Sequence, residues 1–346
     1  MLRVSIIGAT GYGGVELIRL LRSHPQVELT CLTSESYAGR RLGEVYPHLG
    51  DGGPVLEPLD PETVAARCDL AMLALPAGKS LQVVPRLLEQ GKRVIDVSPD
   101  FRLKDPACYP QWYGFPHPHP QLLAQSVYGL PELWRQEIRS AQLVAAPGCY
   151  PTGALLPLAP LLRAGLIEAD SIIIDSKSGV SGAGRTSLSL PYHFPEADED
   201  VSAYQVASHR HTPEIEQEAG RLVGREIRVT FTPHLVPMSR GIFTTIYASL
   251  ANGADTGKIA AALRQFCAGE PFLRLLEGEL LPHTKWAWAT NFAYLAFRVD
   301  ARTGRVVLLS AIDNLGKGMA GQMVQCLNLM CGWEETLGLQ GAGPYP

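Results

Sequence analysis

Near its amino terminus the chain reads Val4-Ser5-Ile6-Ile7-Gly8-Ala9-Thr10-Gly11-Tyr12-Gly13-Gly14. The apolar run predicts a buried strand, and the residues after the glycines predict an amphipathic helix. Glycines at such a turn let the backbone approach a pyrophosphate, to which the helix N-terminus offers N–H groups. A plain glycine turn is the alternative, but the strand–turn–helix setting favours a dinucleotide site. Its predicted residues are Gly8, Thr10, Gly11, Tyr12 and Gly13.

The rest of the chain changes character after residue 149. Before it, strand-like runs at 3–7, 27–32, 70–75, 93–97 and 143–146 alternate with helical patterns. This alternation predicts an α/β domain with a Rossmann-type, doubly wound parallel sheet. After it, runs at 171–175, 227–231, 242–250, 292–299 and 306–311 have few helices between them. They predict a second α+β domain with a mixed or largely antiparallel sheet.

We therefore expect three regions. They are a dinucleotide-binding domain over 1–148, a catalytic, substrate and subunit-interface domain over 149–312, and a C-terminal helical region over 313–346 that returns to the first domain.

Composition narrows the class of protein. Among 346 residues, 30 basic and 34 acidic side chains give a formal charge of −4, which provides no reason to expect nucleic acid or an anionic membrane as partner. No apolar run reaches the roughly 18 residues of a membrane span, and the amino terminus lacks signal-peptide features. The seven cysteines are scattered and include no C-x-x-C pair. These features predict a cytoplasmic protein with reduced thiols and no metal site.

Cofactor choice depends on the end of the second predicted strand, Thr33-Ser34-Glu35-Ser36, and on the Arg40-Arg41 pair that follows. Hydroxyl and guanidinium groups suit the extra phosphate of NADP(H), so we expect Ser34, Ser36 and Arg40 to bind it. Glu35 leaves the alternative open that a carboxylate binds the ribose of NAD.

A candidate nucleophile lies in Ala146-Pro147-Gly148-Cys149-Tyr150-Pro151-Thr152. A cysteine where a strand gives way to a helix is close to backbone N–H groups and to the positive end of the helix dipole, both of which lower a thiol pKa. The alternative is a small buried hydrophobe, which we assign to the other six cysteines. Pro157 and Pro160 leave the extent of the helix open.

Two further segments carry polar chemistry. Ser208-His209-Arg210-His211-Thr212-Pro213-Glu214 offers a proton donor and acceptor near neutral pH. In an extended segment the two histidines would point to opposite sides, so we expect only one to face the cysteine. The loop at 178–185 can present backbone donors to an anion but does not match a serine-hydrolase elbow. His117 and His119, flanked by prolines, are expected in a surface loop.

Taken together, the segments at 8–14, 146–152, 178–185, 209–214 and 313–318 resemble the N-acetyl-gamma-glutamyl-phosphate reductase family over nearly the whole chain. The resemblance implies NADPH-dependent reduction of an acyl phosphate to a semialdehyde through a Cys149 thioester, in arginine biosynthesis, by a homo-oligomer (dimer or tetramer). It implies proton transfer by His209, with Glu214 orienting the imidazole. The other implied contacts are Asn314 with the cofactor, and Arg102, Arg185, His211, Glu214 and Arg240 with substrate.

Four alternatives remain open from the sequence. Related enzymes act on aspartyl phosphate or on a carrier-bound aminoadipyl phosphate. A hydrolase or acyltransferase would use Cys149 without hydride transfer. A dinucleotide sensor would need neither Cys149 nor His209.

Overall fold

The computed structural model describes residues 1–50, 52–187 and 189–345, which form two compact units. The first unit comprises Met1–Pro147, Gly184–Thr186 and Met319–Gln340. The second comprises Gly148–Ala183, Ser187–Gly318 and the C-terminal residues from Gly341. Gly184 and Arg185 of the 178–185 loop, with Thr186 after it, are therefore counted with the first unit, although the residues on either side belong to the second.

The described strands and helices alternate most regularly in the first half of the chain. The strands are β1 Leu2–Ile7, β2 Val27–Thr33, β3 Leu70–Leu73, β4 Arg93–Asp96, β5 Val127–Tyr128, β6 Leu143–Ala145, β7 Ile173–Ser178, β8 Ser202–Ala203, β9 Thr230–Leu235, β10 Ile242–Ser249, β11 Leu273–Leu275, β12 Ala293–Asp300 and β13 Arg305–Ile312. The helices are α1 Tyr12–Leu21, α2 Leu42–Val45, α3 Pro61–Arg67, α4 Ser80–Glu89, α5 Cys108–Tyr113, α6 Pro120–Gln125, α7 Pro131–Ser140, α8 Cys149–Arg163, α9 Phe194–Ala197, α10 Thr212–Val223, α11 Thr256–Cys267, α12 Thr284–Ala287 and α13 Gly321–Met330.

The first sheet confirms the predicted doubly wound architecture. The described strands run in the order β2-β1-β3-β4-β6-β5, and every neighbouring pair is parallel. Because β2 lies on one side of β1 and β3 on the other, the strand order reverses at β1. Ligands of open α/β sheets bind beyond the carboxyl ends of the strands at such a reversal. The glycine loop, which follows β1 directly, is therefore at the position where a dinucleotide is expected.

The second sheet is mixed, as predicted. Its described strands run in the order β11-β12-β13-β10-β7-β9-β8, with parallel pairs at β11–β12 and β7–β9 and antiparallel pairs elsewhere. The predicted strand at 227–231 is displaced, because β9 begins at Thr230 and continues through Pro233 to Leu235. Pairing with β7 determines this register, since Ile173 lies opposite Thr230. The prediction depended on apolar composition, which does not indicate which residues pair with a neighbouring strand.

Helix α8 runs from Cys149 to Arg163 despite Pro157 and Pro160 inside it. A proline in a helix interior removes a backbone hydrogen bond and costs about 3 kcal/mol. Every residue from Tyr150 to Leu162 is buried, so the helix is apolar all round and its packing offsets that cost. It lies across β10 and β13, where Ser310 donates a hydrogen bond to the carbonyl of Gly153. No helix in the described ranges is long and apolar enough to cross a membrane.

The proline- and histidine-rich segment differs from the expected surface loop. Its first part forms α5, and the His117 side chain is buried. Nε2 of His117 lies 2.7 Å from the carbonyl oxygen of Asp100, and the ring packs against Phe101 and Tyr109. The flanking prolines concealed this burial, because Phe101 and Tyr109 supply the packing from positions that are not adjacent to His117 in sequence.

Candidate functional site

The predicted nucleophile occupies the first position of α8. Gly148, the preceding cap residue, is extended (φ −66°, ψ 151°), and no side chain caps the helix there. The first N–H groups of a helix have no acceptor within it, and the helix dipole is positive at this end. Cys149 is partly exposed. This setting favours a thiolate that a substrate can reach.

A buried carboxylate supports the turn before Cys149. Oε1 of Glu214 accepts a hydrogen bond from the backbone N–H of Gly148 at 2.7 Å, and Glu214 is fully buried near the start of α10. Hydrogen bonds to an ionised acceptor are stronger than neutral ones. Glu214 therefore contacts the turn that carries Cys149, and its role in orienting an imidazole stays a prediction.

His211 lies against the same turn. A Cβ atom at Gly148 would be 2.5 Å from Nε2 of His211 and 2.8 Å from two ring carbons. The Nε2 edge of the imidazole thus packs on the residue before Cys149, with only 8% of His211 exposed. Glycine at 148 allows this approach, since any larger residue would occupy the place of the ring.

His209 lies deeper, in an aromatic cluster. Its ring centroid is 5.5 Å from those of Tyr150 and Tyr204 and 5.4 Å from that of Phe231. Burial, with the nearby positive charge of Arg210, lowers the pKa of His209 to about 3. The imidazole is therefore neutral near pH 7. Its Nδ1 accepts the backbone N–H of His211 at 3.0 Å, so His209 holds the backbone that carries the second histidine.

The expectation that the two histidines point to opposite sides is wrong. Their ring centroids are only 4.7 Å apart. The alternation argument requires an extended segment, whereas the chain turns here and His211 has helical dihedrals (φ −83°, ψ −11°) before α10. Both imidazoles consequently belong to one cluster.

Sequence reasoning missed several neighbours of Cys149. A Cβ atom at Gly318 would lie 2.9 Å from Cβ of Cys149, so the segment after Asn314 packs on Cys149. The two glycines in Gly316-Lys317-Gly318 were a usable signal of close backbone approach. The hydroxyl groups of Tyr150 and Tyr204 are 3.0 Å apart, and burial raises both pKa values. No sequence pattern connected these two tyrosines, which are 54 positions apart.

Arg240 and Asn314 brace two loops of the second unit. Arg240 forms an ion pair with the fully buried Asp313, with 2.9 Å between Nε and Oδ2. The Asn314 side chain accepts the N–H of Gly241 at 2.7 Å and donates to Oγ of Ser181 at 2.9 Å. These contacts hold the loops around residues 181 and 241. About a fifth of the Arg240 side chain, 18%, stays exposed and can meet a ligand.

In the first unit the glycine loop has the features of a phosphate-binding turn. Gly8 has a positive φ of 85°, and a Cβ atom at Gly14 would lie 2.2 Å from the Gly8 carbonyl oxygen, so the helix can approach the strand only with glycine there. By contrast, a Cβ atom at Gly11 would meet only the Gly8 oxygen, at 3.7 Å. The residue before α1 is Gly11, which has no side chain to cap the helix. The open face at Gly11 and the uncapped helix N-terminus fit a dinucleotide pyrophosphate.

The end of β2 places hydroxyl groups beside this loop. Oγ of the buried Ser34 is 2.7 Å from Oγ1 of Thr10. Ser36 and Arg40 are exposed, and Arg40 lies 3.4 Å from Glu44. Glu35, which left the NAD alternative open, is 73% exposed and lies 3.9 Å from Lys79. A mixture of hydroxyl groups and cations therefore surrounds the expected ribose position.

Two arginines predicted to bind substrate have other surroundings. Arg102 is buried, and its guanidinium donates to the carbonyls of Ala146 at 2.9 Å and Val97 at 2.5 Å, beyond the ends of β6 and β4. Arg185 lies in the first unit, where its Nη1 donates to the Thr10 carbonyl at 3.1 Å. The structure thus brings Arg185 to the glycine loop, and places Cys149, His209, His211, Glu214, Arg240 and Asn314 in the second unit.

Comparison with known proteins identifies the family. A profile described as the NAD binding domain of semialdehyde dehydrogenases matches residues 3–141, and one described as their dimerisation domain matches residues 149–314. N-acetyl-gamma-glutamyl-phosphate reductase of Pelotomaculum thermopropionicum is 53% identical over 345 residues, 99% of each chain. The chain belongs to the N-acetyl-gamma-glutamyl-phosphate reductase family. The Moorella thermoacetica member is 52% identical over the full length of both chains.

Solved structures agree on the fold. Aspartate semialdehyde dehydrogenase II of Vibrio cholerae superposes with a TM-score of 0.74 at 19% identity, covering 96% of this chain and 98% of that one. The Candida albicans aspartate semialdehyde dehydrogenase, solved with NADP, gives 0.73 at 16% identity with the same coverage. At these identities the likeness shows the fold alone.

Proposed function

We propose that this chain reduces N-acetyl-glutamyl 5-phosphate to N-acetyl-glutamate 5-semialdehyde with NADPH, releasing phosphate, as a cytoplasmic step of arginine biosynthesis. The observation that carries the proposal is the 53% identity to a reductase of that name over 99% of both chains. The turn at Cys149, with His211 and Glu214 against it, has the groups this chemistry needs. The seven cysteines are thiols in the structure, which suits a reducing compartment.

Cys149 is the proposed nucleophile. Its thiolate attacks the acyl carbon, the C–S bond forms, and the C–O bond to phosphate breaks with the electron pair leaving on phosphate. The thioester divides one difficult displacement into two easier steps. When bound, NADPH would supply the hydride for the thioester carbon. A proton donated to the resulting oxyanion gives a thiohemiacetal, and when that proton is taken back the C–S bond breaks and the aldehyde and the Cys149 thiolate are released.

His211 is the proposed proton-transfer group, in place of the His209 that the sequence favoured. His211 packs on Gly148 next to the nucleophile, and an imidazole there can donate a hydrogen bond to the developing oxyanion. His209 instead keeps the loop in place through its bond to the His211 backbone. Glu214 fixes the N–H of Gly148 and so positions Cys149.

The polar groups divide between cofactor and substrate. Backbone N–H groups at Gly11, Tyr12 and Gly13 would hold the pyrophosphate, and Ser34, Ser36 and Arg40 the 2′-phosphate of NADP(H). Arg240, anchored by Asp313, is the proposed substrate anion holder. Asn314 supports the loops near it, and Arg102 supports the turn after β6.

A second copy of the chain is the proposed partner. Tyr247 lies opposite Ile173 on one side and Val307 on the other, so the three share a sheet face. Tyr247 and Ile173 are 38% and 37% exposed, whereas Ile174, Ile246 and Leu308 on the opposite face are fully buried. Apolar residues left accessible on a sheet mark an interaction surface. The matched dimerisation domain includes these strands, which supports a homodimer through this face.

The test is a panel in the oxidative direction. N-acetyl-glutamate, aspartate and aminoadipate semialdehydes, free or carrier-bound for the last, are each supplied with NADP and phosphate while NADPH absorbance is followed. We expect the N-acetyl-glutamate compound to have the highest kcat/KM. A higher kcat/KM for either of the other semialdehydes would assign a different substrate to the enzyme. If no NADPH forms with any of the three, the proposal is wrong.

A further inference from the structure

Arg185 has surroundings that no substrate role explains. Its Nη1 donates to the Thr10 carbonyl at 3.1 Å and to the Tyr46 hydroxyl at 2.7 Å. Its Nη2 lies 3.4 Å from the Tyr37 hydroxyl. The guanidinium carbon is 4.7 Å from the centroid of the Tyr46 ring and 5.3 Å from that of Tyr37. Arg185 is therefore held in one place by neutral oxygens and aromatic rings.

The charge of this group has no carboxylate partner within the described ranges. Two other arginines discussed above have one: Arg40 lies by Glu44, and Arg240 by Asp313. Arg185 is only partly exposed, and removing an unpaired charge from water is unfavourable. A fixed guanidinium without a counter-ion is arranged to receive an anion, because its fork of donors matches phosphate and carboxylate.

The position of Arg185 indicates which anion. Thr10 follows β1 and bonds to Ser34 at the end of β2, which is the expected ribose position of a dinucleotide. Tyr37 lies beneath a second guanidinium as well, with Arg40 5.8 Å from its centroid. Two cations thus meet at one tyrosine, directly after the hydroxyl groups of Ser34 and Ser36. The pyrophosphate, by comparison, is expected at the N–H groups of α1.

We propose that Arg185 binds the 2′-phosphate of NADP(H), together with Arg40, and helps to select NADP over NAD. The inference rests on the proposed function, since it assumes that the glycine loop holds a nicotinamide dinucleotide. Arg185 would then contact the cofactor rather than the substrate that the family resemblance implied. The selectivity then depends on a residue 175 positions away from the glycine loop in sequence.

Direct binding tests this without turnover. NADPH, NADH, 2′,5′-ADP and 5′-AMP are titrated calorimetrically into the wild type, Arg185→Gln, Arg185→Lys and Arg86→Gln. Arg86, exposed on α4 beside Glu62, is the control for removal of one positive charge. Circular dichroism checks folding, and Arg185→Lys keeps the charge should the glutamine variant fold poorly.

Arg185→Gln should raise the Kd for NADPH and for 2′,5′-ADP about 10- to 100-fold, as expected when hydrogen bonds to a charged group are lost. The Kd values for NADH and 5′-AMP should change less than about threefold in Arg185→Gln. The Kd for NADPH in Arg185→Lys should lie between those of Arg185→Gln and the wild type, and Arg86→Gln should bind all four ligands as the wild type does. Equal losses for NADPH and NADH, or none, would overturn the assignment while the proposed function stands. Failure of the wild type to bind either dinucleotide would refute the proposed function as well.

Discussion

Gly148→Ala separates the roles of the two histidines. Alanine adopts the φ and ψ of Gly148 without strain, so only the new methyl group matters. That group would lie 2.5 Å from Nε2 of His211, about 1 Å inside a normal contact distance. Because the other side of the contact is backbone at the start of α8, the ring must move outwards by about that amount.

The expected loss follows from this displacement. Misplacing a catalytic group by about 1 Å can cost about 10²-fold in rate, and complete loss of acid–base catalysis costs about 10²–10⁴-fold. Gly148→Ala should therefore lower kcat about 100-fold with little change in the KM for NADPH. Stability should fall by only about 1 kcal/mol, the usual scale for a changed helix cap.

The assay compares steady-state kinetics with thermal unfolding. Gly153→Ala, five residues further on and inside α8, is the matched control: its methyl group would meet Oγ1 of Thr244 at 3.3 Å, which a small shift relieves. It should keep kcat within about threefold, because ordinary contacts relax at low cost. Near-normal kcat in a folded Gly148→Ala enzyme would refute the placement of His211 in the mechanism.

Three further predictions follow from the site and the sheet. His211→Asn should lower kcat about 10²–10⁴-fold, whereas His209→Asn should mainly lower the free energy of unfolding. If His209→Asn instead lowers kcat and His211→Asn lowers stability, the proton-transfer role belongs to His209. Because burial lowers the pKa of His209 from 6.5 to about 3, the unfolded state binds the extra proton between those values. The free energy of unfolding should thus fall as pH drops from about 6.5 towards 3, and it should fall more steeply in the wild type than in His209→Gln. Urea denaturation at a series of pH values measures it, and parallel pH profiles for the two proteins would contradict the prediction. Tyr247→Glu should shift the mass measured by light scattering towards the monomer, while Glu279→Gln, at an exposed site outside that face, should not; an unchanged dimer would exclude this face.

Local signals account for what the sequence predicted well. The glycine loop, the parallel strands and the helix start at Cys149 each depend on residues within one turn or strand, where dihedral preference and burial act directly. The mixed second sheet followed from strand-like runs with few helices between them. The strand predicted at 227–231 lies at Thr230–Leu235, because pairing with β7 determines its place, and the short strands β8 and β11 were not predicted.

Contacts between distant segments account for the rest. The His209 and His211 rings adjoin because the chain turns into α10, which no alternation argument detects. Arg185 was assigned to substrate on the family resemblance, because a guanidinium pairs with carboxylate and phosphate, whereas its contacts are Thr10, Tyr37 and Tyr46. The aromatic cluster around His209 likewise joins residues from α8, β9 and the segment before α10. Tertiary structure alone brings such groups together.

Acylation of Cys149 tests the central claim most directly. The enzyme is mixed with N-acetyl-glutamate semialdehyde and NADP without phosphate, and NADPH and intact protein mass are recorded together. The account predicts a burst of about one NADPH per subunit and an N-acetyl-glutamyl thioester on Cys149, which added phosphate discharges. Cys149→Ser should show neither. Steady NADPH production without any adduct at Cys149, or a burst that survives in Cys149→Ser, would contradict it.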